Sequence, residues 1–254
     1  MSGFPWYDAW WLDRFVRAKH FISERRPARL AEFTRALEPL RTRPDFQLQL
    51  LERLPGKDQA ETILAAYQSI RQEQLELHEL GSHGRFVVHD HPMLEDLHTS
   101  IAMDVSRLVG EQVEPMYTFL GMYNRDGHCD VHLDAPVSKW TLDYCIEQST
   151  PWPIAFSEVI PWPEAGEYGD PDWQERIKAS PRHRFVSHSL LPGQAVIFSG
   201  SSQWHYRERF ADPGAHHHCS LLFLHFIPTG MKEVSEWQNW EALIDVPGLT
   251  EALR

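Results

Sequence analysis

The chain has 254 residues, of which 42% are hydrophobic and 12% aromatic, a composition typical of folded globular proteins and not of disordered ones. Its formal net charge of -12 argues against nucleic acid or an anionic membrane surface as the main partner, because no strongly basic patch is present. The three cysteines are too few and too irregularly spaced for a disulfide framework or a zinc knuckle.

The first part of the chain, residues 1–112, is predicted to be mainly helical. Apolar residues recur there at three- and four-residue steps, and Pro and Gly residues separate the periodic stretches. The predicted elements are helices over residues 11–22, 30–37, 63–77 and 92–109, and a short strand over 85–89.

From about residue 113 the pattern changes to short runs of aromatic and β-prone residues separated by Gly, Pro, Asp and Ser. Many short strands without intervening helices indicate an antiparallel sandwich or barrel. The tail from residue 231 returns to helical spacing. The predicted strands cover residues 116–123, 140–146, 154–160, 185–190, 195–198 and 220–227. We therefore predict one domain over 1–254, with a β core over 113–230 and a helical tail over 231–254.

Two potential metal ligands follow the strand that ends near residue 123. His132 and Asp134 stand at positions i and i+2, so on an extended segment both side chains point to the same side and can reach one ion. A third candidate, His205, follows the strand predicted over 195–198. Two imidazoles and one carboxylate on one face, with the opposite positions open, suit ferrous iron and dioxygen chemistry. These three residues are therefore candidate ligands of one iron ion.

Further motifs precede this potential site in a defined order. A predicted helix over 92–109 leads into a strand that ends at Tyr123, and a turn with Gly127 follows. His132 comes nine residues after the tyrosine, with Asp134 two residues later. The spacing places the tyrosine and the potential ligands on neighbouring segments.

More motifs follow downstream. A Thr-containing strand over 140–146 is succeeded by the segment 191–198, with the sequence Leu-Pro-Gly-Gln-Ala-Val-Ile-Phe, which precedes His205. Over residues 92 to 227 the chain thus resembles the 2-oxoglutarate- and iron-dependent dioxygenases, specifically their prolyl 4-hydroxylase-like branch. The resemblance implies a double-stranded β-helix, or jelly-roll, core with N-terminal helices packed on the larger sheet. It also implies an Fe(II) ion held by His132, Asp134 and His205.

The resemblance implies cosubstrate contacts at Tyr123, His218 and Ser220. In the family a Lys or Arg, followed two residues later by Ser or Thr, binds the far carboxylate of 2-oxoglutarate. Here His218 and Ser220 occupy that position, and no Lys or Arg lies between Arg209 and Lys232. The histidine must then be protonated, or share the role with a hydroxyl, to bind a dianion.

The predicted strand over 140–146 can present Asp143 either to the barrel interior or to solvent. If Trp140, Leu142 and Tyr144 pack outward onto the helices, Asp143 faces inward and needs a partner, either Lys139 or His218. The opposite phase would leave the carboxylate solvated. The substrate mouth is expected to be formed by the acidic segment 161–182 as a lid together with three tryptophans. These are Trp140, Trp162 and Trp204.

The sequence favours an Fe(II)- and 2-oxoglutarate-dependent oxygenase that oxidises a C–H bond of a small molecule or an amino-acid-derived substrate. Asp134 excludes the halogenase variant of the family, which has Ala or Gly at that position. Two alternatives stay open, an iron oxygenase that does not use 2-oxoglutarate and a non-catalytic jelly-roll binding protein. No secretory signal or bilayer-spanning apolar run of roughly 20 residues is visible, so we expect a cytoplasmic protein with dioxygen and a small molecule as partners. The oligomeric state is not predicted.

Overall fold

Two antiparallel β-sheets pack against each other in the computed structural model, which describes residues 3–164, 166–212 and 216–254. Within these ranges the strands are β1 (Gln49–Leu51), β2 (Arg85–His89), β3 (Val113–Tyr123), β4 (Cys129–His132), β5 (Trp140–Gln148), β6 (Ile154–Phe156), β7 (Val186–His188), β8 (Ala195–Ser199), β9 (His205–Arg207) and β10 (Cys219–Pro228). The larger sheet has the order β1-β8-β5-β10-β3-β2, and the smaller sheet has the order β4-β9-β6-β7.

The eight strands from β3 to β10 form the jelly roll that the sequence predicts. Four of them lie in each sheet, in the orders β8-β5-β10-β3 and β4-β9-β6-β7, and every pairing is antiparallel. This arrangement is that of a double-stranded β-helix, so the predicted fold class is confirmed. Strands β1 and β2 extend the larger sheet at its two edges.

Strand β10 lies in the middle of the larger sheet and is buried on both faces. Side chains alternate between the two faces of a strand. Leu222 and Leu224 therefore belong to the apolar cluster outside the barrel, whereas Leu221 and Phe223 belong to the cluster between the two sheets. This alternation decides which residues of β10 can reach the interior.

Helices cover the outer face of the larger sheet and one side of the smaller sheet. Within the described ranges they are α1 (Trp10–Arg25), α2 (Leu30–Ala36), α3 (Lys57–Gln68), α4 (Leu80–His83), α5 (Glu95–Val109), α6 (Trp173–Ala179), α7 (Lys232–Ser235), α8 (Trp240–Ile244) and α9 (Leu249–Ala252). Leu97, Ile101 and Val105 share one face of α5 and pack on the larger sheet, and each contributes about 2 kcal/mol by burial. None of these helices has the length and apolar character needed to cross a membrane.

The first helix and the C-terminal helices pack together beside the smaller sheet. Trp11 of α1 donates a hydrogen bond from Nε1 to the carbonyl of Ser235 at 2.7 Å, and its ring lies 5.2 Å from that of Trp240 in α8. Trp162 and Trp204 complete this aromatic cluster. The two ends of the described chain therefore pack on one another, next to the strands that carry the potential metal ligands.

One helix prediction is wrong for more than half of the predicted residues. The sequence pattern indicates a helix over 63–77, but α3 ends at Gln68 and a 3-10 turn follows at Gln72–Gln74. Glu76 then forms an antiparallel bridge with Val87 of β2, and Leu77 is exposed. Backbone pairing with the edge of the larger sheet thus replaces the helical hydrogen bonds that periodicity alone would predict.

Candidate metal centre

The three side chains predicted as iron ligands come together between β4 and β9. His132 ends β4 and His205 begins β9, and the two are register partners in the antiparallel pair. Their Nε2 atoms lie 3.4 Å and 3.6 Å, respectively, from Oδ1 of Asp134. One nitrogen or oxygen atom of each residue lies within 4.8 Å of those of the other two. The cluster therefore has the spacing to share one metal ion.

Both imidazoles are oriented by backbone carbonyls. Nδ1 of His132 donates to the carbonyl oxygen of Asp130 at 2.9 Å, and Nδ1 of His205 donates to that of Gln203 at 2.9 Å. Nε2 of each ring therefore faces the aspartate, where a neutral imidazole, which carries a single N–H, would offer a lone pair to a metal. Metal-binding histidines typically have their second nitrogen bonded in this way. The arrangement fits a metal ligand set.

Asp134 is oriented by the turn that precedes β9. Its backbone N–H donates to the carbonyl of Gly200 at 2.9 Å, and Thr141 Oγ1 donates to its Oδ2 at 3.1 Å. The remaining oxygen, Oδ1, faces the two imidazoles. Gly200 is required here, because a Cβ at that position would lie 2.0 Å from Oδ2 of Asp134.

The pKa values of the three residues are set by burial and by their mutual contacts. Burial by itself would raise the pKa of Asp134, but the neighbouring imidazoles of His205 and His132 outweigh burial and hold this pKa well below its usual range. Burial, followed by the charge of His132, lowers the pKa of His205. Burial by itself would lower the pKa of His132, but Cys129 and Asp134 outweigh burial and hold this pKa well above its usual range. A metal would therefore displace the proton of this imidazole on binding.

A cavity of about 530 Å³ contains the triad in its wall. This volume lies within the range of typical small-molecule sites, roughly 300 to 1,000 Å³. Another part of the wall is aromatic, because inward side chains of β3 and β10 stack in pairs. Tyr117 lies on His225 with ring centroids 4.3 Å apart, and Phe119 lies on Phe223 at 4.4 Å. The cavity can thus hold a small molecule beside a metal.

The segment from Pro5 to Trp10, here called the N-terminal segment, lines the same cavity. Asp8 accepts a hydrogen bond at Oδ2 from the backbone N–H of Ala135, at 2.7 Å, directly after the potential ligand Asp134. Tyr7 donates from its hydroxyl to Oε1 of Glu79 at 2.6 Å. Asp8 has a left-handed backbone with φ of 66°, which turns two adjacent residues toward different walls.

Tyr123 lines the cavity, where the sequence analysis expects it. It ends β3 and is 3% exposed. Its hydroxyl oxygen accepts a hydrogen bond from Nη1 of Arg85. Burial raises the pKa of Tyr123 despite the nearby arginine charge, so the hydroxyl keeps its proton at neutral pH. That proton can be donated to a second acceptor.

His218 and Ser220, at which the resemblance implies cosubstrate contacts, do not line the cavity with the triad, and both lie instead at a separate pocket beside Tyr123. Strand β10 begins at Cys219, whose side chain faces inward, so Ser220 faces outward. Its hydroxyl lies 2.9 Å from the hydroxyl of Tyr67 and 3.4 Å from Oε1 of Glu147, on the outer face of the larger sheet. His218 precedes the strand and is exposed.

Asp143 faces the barrel interior, as one of the two strand phases predicts, but its partner is neither Lys139 nor His218. Arg207 donates from Nη2 to Oδ2 of Asp143 at 2.8 Å and from Nη1 to the carbonyl of Trp152 at 2.6 Å. Both charged side chains are buried. Arg207 stands two residues after His205 on β9, so the two side chains point to the same face.

Arg85 is a cavity residue that sequence reasoning missed. It is the register partner of Tyr123, on β2, and its side chain is 8% exposed. Its Nε donates to Oε2 of Glu79. The sequence does place Arg85 on the same face of the short predicted strand 85–89 as Val87. Nothing in the sequence indicates whether that face points into the cavity.

The predicted substrate mouth is also corrected. Trp140 packs on Phe46 at the outer face of the larger sheet, and Trp162 and Trp204 lie in the helical cluster around α1. Of the acidic segment 161–182, α6 reaches the cavity, and position 165 lies outside the described residues. The tryptophans that line the cavity are Trp6, Trp10 and Trp173.

No protein-family model and no curated protein matches the sequence. Solved structures match the fold. The α-ketoglutarate-dependent non-haem epimerase SnoN from nogalamycin biosynthesis superposes with a TM-score of 0.53 at 15% identity, over 86% of this chain and 88% of that one. The carbocyclase SnoK of the same biosynthesis gives 0.53 at 13% identity, over 78% and 89%. EctD from S. alaskensis, solved with 2-oxoglutarate and 5-hydroxyectoine, gives 0.50 at 18% identity, over 71% and 72%. The chain therefore shares the fold of these enzymes.

Proposed function

We propose that this chain is a mononuclear non-haem Fe(II) oxygenase that uses 2-oxoglutarate and dioxygen to oxidise a C–H bond of a small molecule. The observation that carries the proposal is the orientation of the triad. Nε2 of His132, Nε2 of His205 and Oδ1 of Asp134 face one another, and each imidazole is held from behind by a backbone carbonyl. Two nitrogens and one oxygen on one face match the facial triad of ferrous oxygenases.

The residues of the chain have distinct roles in this proposal. His132, Asp134 and His205 hold the iron, which when bound supplies the activation of dioxygen. Thr141 keeps the aspartate oriented through the hydrogen bond to Oδ2. The stacked aromatic wall keeps water away from the reacting atoms. Tyr123 offers its hydroxyl proton to the cosubstrate.

The fold supports 2-oxoglutarate as the cosubstrate. SnoN has been crystallised with Fe3+, α-ketoglutarate and nogalamycin RO, and EctD with 2-oxoglutarate. We assign the chain at the level of this superfamily, as one oxygenase domain over residues 1–254. The finer assignment to the prolyl 4-hydroxylase-like branch would rest on the motif order, since the contacts implied at His218 and Ser220 fall outside the cavity.

The charges around the cavity favour a neutral or cationic small molecule as the primary substrate. Besides Asp134 of the triad and the ion-paired Glu79, three carboxylates line the cavity. They belong to Asp8, Asp90 and Asp130. They would repel a phosphorylated substrate. The aromatic wall offers a flat apolar surface on which an unsaturated or cyclic part of the substrate can pack.

An anaerobic titration of the Fe(II)-loaded protein with 2-oxoglutarate tests the cosubstrate. We expect the weak visible charge-transfer band of a 2-oxo acid chelated to ferrous iron. If iron binds but no band develops at saturating 2-oxoglutarate, the chain is an iron oxygenase of another type.

Metal analysis tests the ligand assignment. His132→Ala and His205→Ala should each bind iron at least about 100-fold more weakly, because each removes one of three protein ligands. His20→Ala, at an exposed position of α1, serves as the matched control and should bind iron like the unmodified protein. Unchanged iron content in both ligand variants would contradict the site and favour a non-catalytic jelly-roll protein.

A further inference from the structure

The inward face of β10 carries no side chain suited to bind a second carboxylate. Its inward residues are Cys219, Leu221, Phe223 and His225. Burial lowers the pKa of His225 to about 4, so this imidazole is neutral at neutral pH. A cosubstrate with a carboxylate at each end must therefore find a cation elsewhere in the cavity wall.

Arg85 and Arg207 are the arginines among the described residues that line the cavity, and no lysine accompanies them. Arg207 is paired with a buried carboxylate that has no second hydrogen-bond donor within the described ranges. Its two terminal nitrogens are bonded to Asp143 and to the carbonyl of Trp152. Oδ1 of Asp143 is buried without a hydrogen-bond partner in the described part of the chain. An added carboxylate would compete with Asp143 for this guanidinium, so Arg207 makes a poor anchor.

Arg85 has N–H donors that make no hydrogen bond within the described residues. A guanidinium has five N–H donors, and Arg85 uses Nε for Glu79 and Nη1 for Tyr123. Its Nη2 has no hydrogen-bond partner within the ranges that the structure describes. Glu79 also accepts from the hydroxyl of Tyr7 at 2.6 Å, which disperses its charge and holds it in place. The guanidinium is thus fixed at one edge and available at the other.

Tyr123 completes a two-donor arrangement. It is the register partner of Arg85 on the neighbouring strand, so both side chains point to the same side of the sheet. Because its oxygen accepts from Arg85, its own proton is directed to another acceptor. Arg85 and Tyr123 line the same cavity as the triad, so a ligand in this cavity can contact both the pair and a metal.

We propose that Arg85 and Tyr123 bind the distal carboxylate of 2-oxoglutarate and thereby select a 2-oxo diacid over a 2-oxo monoacid. The proposal rests on the function proposed above. It places the anchor on β2, an edge strand outside the eight strands of the jelly roll, instead of on β10. Charge-assisted hydrogen bonds from an arginine and a hydroxyl are the contacts that a carboxylate requires.

Binding of two ligands to the Co(II)-loaded protein tests this assignment. Calorimetry compares 2-oxoglutarate with 2-oxobutyrate, which has the same 2-oxo acid end but lacks the distal carboxylate. Arg85→Gln should weaken 2-oxoglutarate binding on the order of 10- to 100-fold and leave 2-oxobutyrate binding unchanged. Arg85→Lys should recover part of the loss. Arg125→Gln, an exposed arginine outside this cavity, is the matched control and should change neither affinity.

The outcomes separate this inference from the proposed function. If the unmodified protein fails to bind Co(II), seen by its visible absorption, or binds neither 2-oxo acid, the proposed function is wrong. If it binds 2-oxoglutarate and Arg85→Gln keeps the same preference over 2-oxobutyrate, the anchor is wrong and the function stands. Loss of that preference in Arg207→Lys alone would assign the role to Arg207.

A second variant tests the proposed carboxylate anchor if Arg85→Gln does not fold. Tyr123→Phe removes one hydroxyl and preserves the ring, which packs on Trp152 with centroids 4.8 Å apart. We expect about fivefold weaker binding of 2-oxoglutarate and unchanged binding of 2-oxobutyrate. Equal affinities of this variant and the unmodified protein for 2-oxoglutarate would overturn the two-donor arrangement.

Discussion

Gly200 illustrates how single residues shape the candidate metal centre. Its carbonyl accepts from the backbone of Asp134, and it leaves room for the carboxylate, since a Cβ would lie 2.0 Å from Oδ2 and 2.8 Å from Oγ1 of Thr141. Neither atom belongs to a long flexible side chain that could move away. The absence of a side chain at position 200 is therefore as important for the triad as the ligands themselves.

Gly200→Ala should weaken Co(II) or Fe(II) binding by about 100-fold, because the methyl group displaces Asp134 from the two imidazoles. Metal titration followed by visible absorption measures the effect. Gly81→Ala is a suitable control, since a Cβ there meets nothing within 4 Å. Tight metal binding by the Gly200 variant would mean that Asp134 is not a ligand.

Among larger elements, the N-terminal segment stands out because it connects the two ends of the proposed active site. Asp8 bonds to the backbone beside Asp134, and Tyr7 bonds to Glu79, which holds Arg85. Trp6 anchors the segment, with its ring 5.0 Å from that of Trp204. The segment thus orients groups at both the metal and the carboxylate end.

Tyr7→Phe should weaken 2-oxoglutarate binding about fivefold and leave Co(II) binding unchanged, because Glu79 loses one donor and competes more strongly for Arg85. Calorimetry on the Co(II)-loaded variant provides both values. Tyr144→Phe, at a buried tyrosine on the outer face of the larger sheet, is the control. An unaffected cosubstrate affinity in Tyr7→Phe would show that the segment does not act on the anchor.

At the scale of the whole molecule, buried histidines couple stability to pH. Burial lowers the pKa of both His98 and His225 from 6.5 to about 4, and Nε2 of His98 donates to the carbonyl of His225 at 3.0 Å. Between pH 6.5 and 4 the unfolded chain binds these protons and the folded chain does not. The free energy of unfolding therefore falls as the pH is lowered, by up to about 1 kcal/mol per pH unit for each histidine.

In His98→Gln the free energy of unfolding should change less steeply with pH, by the contribution of one histidine. Gln can still donate to the carbonyl of His225, but it does not titrate. Urea unfolding at pH 7, 6 and 5 measures the slope for the variant and for the unmodified protein. His20→Gln, at an exposed position of α1, should leave the slope as it is. The same slope in both His98 and His20 variants would show that His98 is not neutral in the folded state.

Local patterns in the sequence predicted an antiparallel β core and most of its strands, and the family resemblance added the jelly roll and the assignment of the three potential ligands. Alternation and turn residues are properties of short segments, and His132 and Asp134 lie two residues apart on one of them. The convergence of His205 on this pair depended on motif order, and the structure brings the three side chains together as predicted. The failed prediction of a helix over 63–77 marks where local periodicity was overruled by pairing of Glu76 with Val87.

The proposed cosubstrate contacts could not be predicted from local sequence patterns, because they depend on which face of each strand points inward and on pairing between distant segments. The outward phase of Ser220 follows from where β10 begins, and the pairing of Asp143 with Arg207 joins residues 64 positions apart. Arg85 becomes a cavity residue because β2 adds to the edge of β3 in register with Tyr123. Local sequence specifies which segments are strands and which residues can bind metal. Long-range packing specifies which charged side chains face the cavity, because each buried charge needs a partner that the folded chain must supply.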